Sequence, residues 1–156
     1  MNKKKENPLN DKDVIQLVKY EDRSRNCLYY VYESNKKTLY KYDLDTEEIT
    51  AIHLEENEIK YANGESPMIY GVDHFGVHGD YIFIVANNGG SGSLFGQYLI
   101  AYNTLDGTFS EIDFATEIKL INENRKAEVM RKELTKEGKC MAENEYETWT
   151  EIINLP

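Results

Sequence analysis

The densest group of side chains able to move a proton or hold a metal is Asp73, His74 and His78, within the stretch GVDHFGVH. Imidazole and carboxylate are the groups of general acid–base catalysis and of zinc sites. On an extended strand His74 and His78 share a face, yet they sit about 13 Å apart at roughly 3.3 Å per residue, too far to share one ion unless the backbone bends. Gly71, Gly76 and Gly79 allow such a bend or a bulge. The expectation is an ordinary strand carrying polar residues, without a metal. The alternative is a hydrolase or carbohydrate-active domain that uses the Asp73, His74 and His78 region.

A second candidate is the run NNGGSGSLFG at 87–96. Phosphate-binding glycine loops need a helix after the loop and, in the Walker case, a Lys-Ser/Thr pair. This run leads from strand to strand. It reads instead as an inserted loop with a contact role, and Asn87, Asn88, Ser91, Leu94 and Phe95 are the residues that would make the contact, the last two being apolar in a polar loop. Asp43, Asp45, Glu47 and Glu48 resemble a calcium set in composition only, because the EF-hand spacing and its glycine are missing. They read as a solvated hairpin turn.

Tyr20, Tyr29, Tyr30, Tyr32, Tyr40 and Tyr42 crowd the first third of the chain. Strand alternation sends about half of them between sheets, with a carbohydrate-stacking surface as the other reading. No GxSxG run or Cys/His signature supplies a nucleophile. No catalytic residue and no cofactor follows from these patterns, so the sequence points to a non-enzymatic binding or assembly domain for a protein or small ligand.

Composition narrows the classes further. The 156 residues suffice for one domain, and 12 Tyr with 5 Phe tilt the composition toward strands. The net charge is −10, and residues 27–115 carry four basic and fourteen acidic groups, a field that repels phosphate backbones and argues against nucleic acid as a partner. No run of about 18 apolar residues is present, which argues against a spanning segment and a membrane partner. MNKKKENPLN has the basic flavour of a signal peptide without an apolar segment after it, so the default expectation is cytoplasmic. Cys27 and Cys140 lie in no CxxC or Cys/His spacing, and a single bridge between them is compatible with the sequence.

The elements that position these residues come from an internal repeat. Leu39–Leu54, LYKYDLDTEEITAIHL, aligns without a gap to Leu99–Phe114, LIAYNTLDGTFSEIDF, with Leu39/Leu99, Tyr42/Tyr102 and Ile52/Ile112 identical. Each copy reads as strand, turn, strand, and Asp106-Gly107 falls at the turn, where Thr46-Glu47 sits in the first copy. Upstream, Tyr81–Ala86 matches Leu28–Glu33. Residues 1–12 read as a flexible arm, 13–54 as unit one, 55–67 as an acidic linker, 68–114 as unit two and 115–156 as a C-terminal hairpin turning at Lys136–Lys139. Within the last segment RKAEVMRKELTKEG also has helix propensity, with Gly138 as a helix stop. Against a helix, Glu143, Glu147 and Glu151 would form a like-charged i, i+4 row.

The pattern of an apolar-Tyr-Tyr-Val strand, a turn and then LYKYDLDTEEITAI resembles the blade repeat of β-propellers of the TolB-like or kelch-like sort, over roughly residues 13–114. The resemblance implies first strands that line a central channel, later strands that run outward, and a turn after the third strand carrying Asp or Gly, a position matched by Asp45 and Asp106-Gly107. The predicted fold is therefore all-β, made of antiparallel four-stranded blade-like units, two clear and one irregular, or alternatively a β-sandwich. Two units do not close a propeller. Uncovered edges would be met by the C-terminal hairpin, by another chain, or by a second copy in a homodimer paired through an edge strand.

Overall fold

The computed structural model describes residues 8–22, 25–54, 69–90 and 95–156. It is all-β, and the described residues form the strands β1 (Val14–Asp22), β2 (Arg25–Tyr32), β3 (Asn35–Asp43), β4 (Ile49–His53), β5 (Gly71–His78), β6 (Tyr81–Asn87), β7 (Gln97–Asn103), β8 (Phe109–Ala115), β9 (Glu117–Ile121), β10 (Lys126–Lys136) and β11 (Glu145–Asn154). They form three antiparallel sheets in sequence order, β1-β2-β3-β4, β5-β6-β7-β8 and β9-β10-β11. No helix of the described residues is long and apolar enough to cross a membrane.

The two repeat turns coincide residue for residue. Asp43 N–H donates to Glu48 O (2.9 Å) and Glu47 N–H to Asp43 O (2.8 Å); in the second copy Asn103 N–H donates to Thr108 O (2.8 Å) and Gly107 N–H to Asn103 O (2.9 Å). Both turns place the fifth residue in the left-handed region, Glu47 at φ 62° and Gly107 at φ 73°. The side chain that opens each turn accepts from the backbone two residues on, Asp43 from Asp45 N–H and Asn103 from Leu105 N–H, each at 2.9 Å. The amides of Thr46 and Asp45 hold the Asp43 carboxyl below the usual carboxylate range. The Asp43–Glu48 acids therefore close a hairpin.

The sheets stack front to back. Leu39 and Ile52 pack between the first and second sheets, whereas their counterparts Leu99 and Ile112 face the third. Conversely, Ile100 and Tyr102 meet the first sheet, while their counterparts Tyr40 and Tyr42 lie on its far side with Leu28 and Tyr30. Each repeat thus turns its Leu39/Leu99 face toward the next sheet in the chain. A sandwich related by a two-fold axis would bring like faces together instead. The second sheet is buried on both sides, so consecutive β6 residues Ile82, Phe83, Ile84 and Val85 are all inaccessible.

Several expectations need correction in detail. The second strands pair with offset 54, since Cys27 faces Asp43 as Tyr81 faces Asn103; Tyr81–Ala86 corresponds to Cys27–Tyr32 and not to Leu28–Glu33. One residue of slip reverses which face a side chain takes: Cys27 and Tyr29 face the second sheet as their counterparts Tyr81 and Phe83 face the third. Within the expected arm, the fixed proline φ of Pro8 starts a 3-10 turn over Pro8–Asn10, and Asp11 N–H donates to Pro8 O at 3.2 Å. Residues 1–7 and the linker 55–67 lie outside the described residues.

The C-terminal unit is a three-stranded sheet, because β9 pairs with the first half of β10. The β10–β11 hairpin is present, and its turn is longer than Lys136–Lys139: Gly138 N–H donates to Asn144 Oδ1 and Lys139 N–H to Glu143 Oε2, both at 2.8 Å, around a 3-10 turn over Met141–Glu143. Gly138 closes a hairpin and stops no helix. Cys27 is buried between the first two sheets and Cys140 is exposed in this turn, so no bridge joins them.

Candidate functional site

Asp73 is the extra residue of a bulge in β5, between Val72 opposite Ala86 and His74 opposite Val85. The bulge aims its carboxylate along the sheet, where Asn87 Nδ2 donates to Oδ1 (2.8 Å) and Gln97 Nε2 to Oδ2 (2.7 Å). Gln97 is buried, and its Oε1 accepts Ile118 N–H at 2.7 Å. Asp73, Asn87 and Gln97 thus form a polar row that ties the end of the second sheet to β9. Burial holds the His74 imidazole below its ordinary value, with the Asp73 charge opposing. His74 and His78 lie on one face of β5 with Gly76 between them, and Asn124 packs against Gly76 so closely that a Cβ there would lie 2.3 Å from its Oδ1. Among the described residues, no three His, Cys, Asp or Glu side chains converge in a way that would hold a metal ion.

The ends of the 87–96 loop are similarly committed. Asn87 Oδ1 accepts Gly89 N–H at 3.1 Å. Asn88 Oδ1 accepts Gly90 N–H (3.0 Å) and Gly96 N–H (3.2 Å), drawing the loop's neck together. Ser91 and Leu94 lie outside the described residues. Phe95 is exposed and reaches a cleft of about 290 Å³ between the second sheet and the overhanging half of the β10–β11 hairpin, lined also by Phe114, Thr116, Arg131, Lys132 and Tyr146.

Two cations enter this cleft in different electrical states. Arg131 binds Asp113 through both Nη atoms (3.1 and 2.8 Å) and Glu151 through Nε (2.9 Å), so its charge is matched. Those bonds push the guanidinium up, and they hold the Glu151 carboxyl below its usual range with help from the Trp149 indole N–H. Lys132 Nζ instead lies 3.9 Å from the centroid of the Tyr146 ring, with no carboxylate in salt-bridge contact among the described residues. Three aromatic rings and an ammonium held over one of them suit a flat apolar group that carries an acceptor. A wider depression of about 400 Å³ at the β2–β3 turn includes Glu33, Lys36 and Tyr70, and there Lys36 pairs with Glu33 at 3.5 Å.

Of the residues singled out in the sequence, Asp73 and Asn87 come together, Asn88 shapes the loop neck, and Phe95 reaches the cleft. The partners Phe114, Arg131, Lys132 and Tyr146 had no signal of their own, since they lie on separate strands that only sheet stacking brings together. The tyrosines divide unevenly: Tyr20 and Tyr29 meet edge to face between the first two sheets at 6.4 Å, and Tyr30 stacks on Tyr40 at 5.6 Å on the far side. The chain matches no family model, no curated protein and no solved structure.

Proposed function

We propose that this is a non-enzymatic binding domain of propeller-blade-like repeats, whose ligand lies in the cleft formed by Phe95, Phe114, Arg131, Lys132 and Tyr146. The observation that carries this reading is the meeting of three aromatic rings with the Lys132 ammonium at the junction of two sheets. Front-to-back stacking of the sheets supports the blade reading. The chemistry that fits is an aromatic or flat apolar group bearing a carboxylate or carbonyl, either as a small molecule or at the end of a protein partner. The hydrolase reading finds less support, because both Asp73 oxygens already accept hydrogen bonds.

Benzoate and indole are the simplest probes. Titrated into isotope-labelled protein, they should shift resonances of Phe95, Phe114, Thr116, Lys132 and Tyr146, benzoate more strongly than indole. Lys132→Gln should remove the preference for benzoate, and Phe114→Ala the binding of both. Shifts centred on Asp73, His74 and His78, or none in the cleft, would overturn this assignment.

A further inference from the structure

The first two sheets each carry a fourth strand, β4 and β8, beyond their third. In the third sheet β11 occupies the third position, and among the described residues nothing lies beyond it. The outer edges of the complete sheets are blunted in ways that discourage further pairing. β4 is five residues long, and β8 carries a bulge at Ile112, between Asp113 opposite Leu99 and Glu111 opposite Ile100. β11 has neither device. It is ten residues long, pairs with β10 in unbroken register from Tyr146 to Asn154, and is exposed over most of its length.

Its charge indicates what would pair with it. Glu145–Asn154 reads EYETWTEIIN, with three glutamates and no cation. Glu151 is offset by Arg131, whereas Glu147 stands directly opposite Glu133 on β10, a like-charged cross-strand pair that disfavours the hairpin by itself. A cation brought alongside Glu147 would relieve that repulsion. A second copy of this strand would bring three more glutamates, so self-pairing adds charge of the wrong sign.

We propose that the edge of β11, unpaired among the described residues, takes up an extended, basic segment of a partner polypeptide as the fourth strand of the third sheet. Main-chain hydrogen bonds supply the affinity of such strand addition, and facing side chains supply the selectivity. Here selectivity comes from lysine or arginine at alternate positions against Glu145 and Glu147, with β-branched residues between them. This site is separate from the aromatic cleft, and either assignment can fail without the other.

The test uses a capped ten-residue peptide alternating lysine with valine and threonine. The chain's single tryptophan, Trp149, lies on β11 and reports binding by its fluorescence. The peptide should change that signal saturably and slow hydrogen exchange at alternate β11 amides. Binding should weaken at high salt, since exposed charges are screened. Glu147→Lys should weaken it about fivefold, in keeping with reversal of an exposed charge pair. A glutamate counterpart, or a lysine peptide with proline at alternate positions to remove main-chain donors, should not bind, and Phe114→Ala should leave binding intact. Equal binding of the proline peptide would show charge attraction without strand addition and would overturn the proposal. Absence of binding by the lysine peptide, or a dimer of the chain alone at micromolar concentration with β11 amides protected, would overturn it as well.

Discussion

β5 and β11 are both edge strands, and their outer sides are finished in opposite ways. Along β5 and the turn that follows it, side chains take the place of a missing neighbour. Gln16 donates to Phe75 O (2.6 Å) and accepts Phe75 N–H (3.0 Å), Asn124 donates to Val77 O (3.2 Å), and the Tyr20 hydroxyl donates to Gly79 O. These caps come from the first and third sheets, so closing the edge also fastens the stack together. β11 has no comparable row of caps among the described residues, and from Glu147 to Ile152 its side chains are exposed on both faces. An edge closed by side chains of its own chain is spoken for; an edge left long and regular remains available for pairing.

The comparison breaks most severely at Gln16. Gln16→Leu would leave the amide and carbonyl of buried Phe75 without partners, at about 1–3 kcal/mol for each orphaned group, hence roughly 2–6 kcal/mol in total. A fall in the denaturant midpoint with unchanged slope measures it. Gly76→Ala acts on the second cap. The new methyl would displace the Asn124 amide, which arrives from a turn whose residues Asn122, Glu123 and Asn124 all hold positive φ. Overpacking of this kind costs about 1–3 kcal/mol, and the loss should be smaller in an Asn124→Gly background, where the clash is gone. On the open edge, Thr148→Ser or Glu147→Gln should change stability by no more than about 0.5 kcal/mol. A loss comparable to that of Gln16→Leu would show that β11 is already engaged.

A subtler asymmetry follows from His74, which lies on β5 and is partly buried. Because burial lowers its folded-state pKa, the unfolded chain takes up the proton first as pH falls. The stability due to neutral His74 is complete above its ordinary pKa of about 6.5 and is lost as pH drops through that value toward the folded one. His74→Gln should therefore flatten the melting temperature between about pH 7 and about pH 5. An identical slope in both proteins would mean that other groups set it.

The repeat was legible because its signals are local. Tyr42, Asp43, Tyr102 and Asn103 announce strand ends and turns within a few residues, and the Asp43 and Asn103 turns form as that chemistry requires. β9 was not legible: EIKLI is five residues long, is separated from β8 only by Thr116, and carries a charge at alternate positions like an ordinary surface segment. Nor does the sequence reveal which face of a sheet meets which neighbour. Phe83 and Ile84 are equally apolar, yet one packs toward the third sheet and the other toward the first. The cleft followed from that stacking, so Phe95 was visible as an apolar residue in a polar loop, whereas Arg131 and Lys132 looked like surface charges.

Native-state hydrogen exchange, read amide by amide, tests the contrast between the two edges most directly. The Phe75 amide lies on an edge strand but is capped by Gln16, and it should exchange among the slowest in the protein, together with the β6 and β7 amides. In β11, every second amide between Tyr146 and Ile153 should exchange close to the rate of an unprotected chain. Uniform protection along β11, or rapid exchange at Phe75, would contradict this account of one closed edge and one open one.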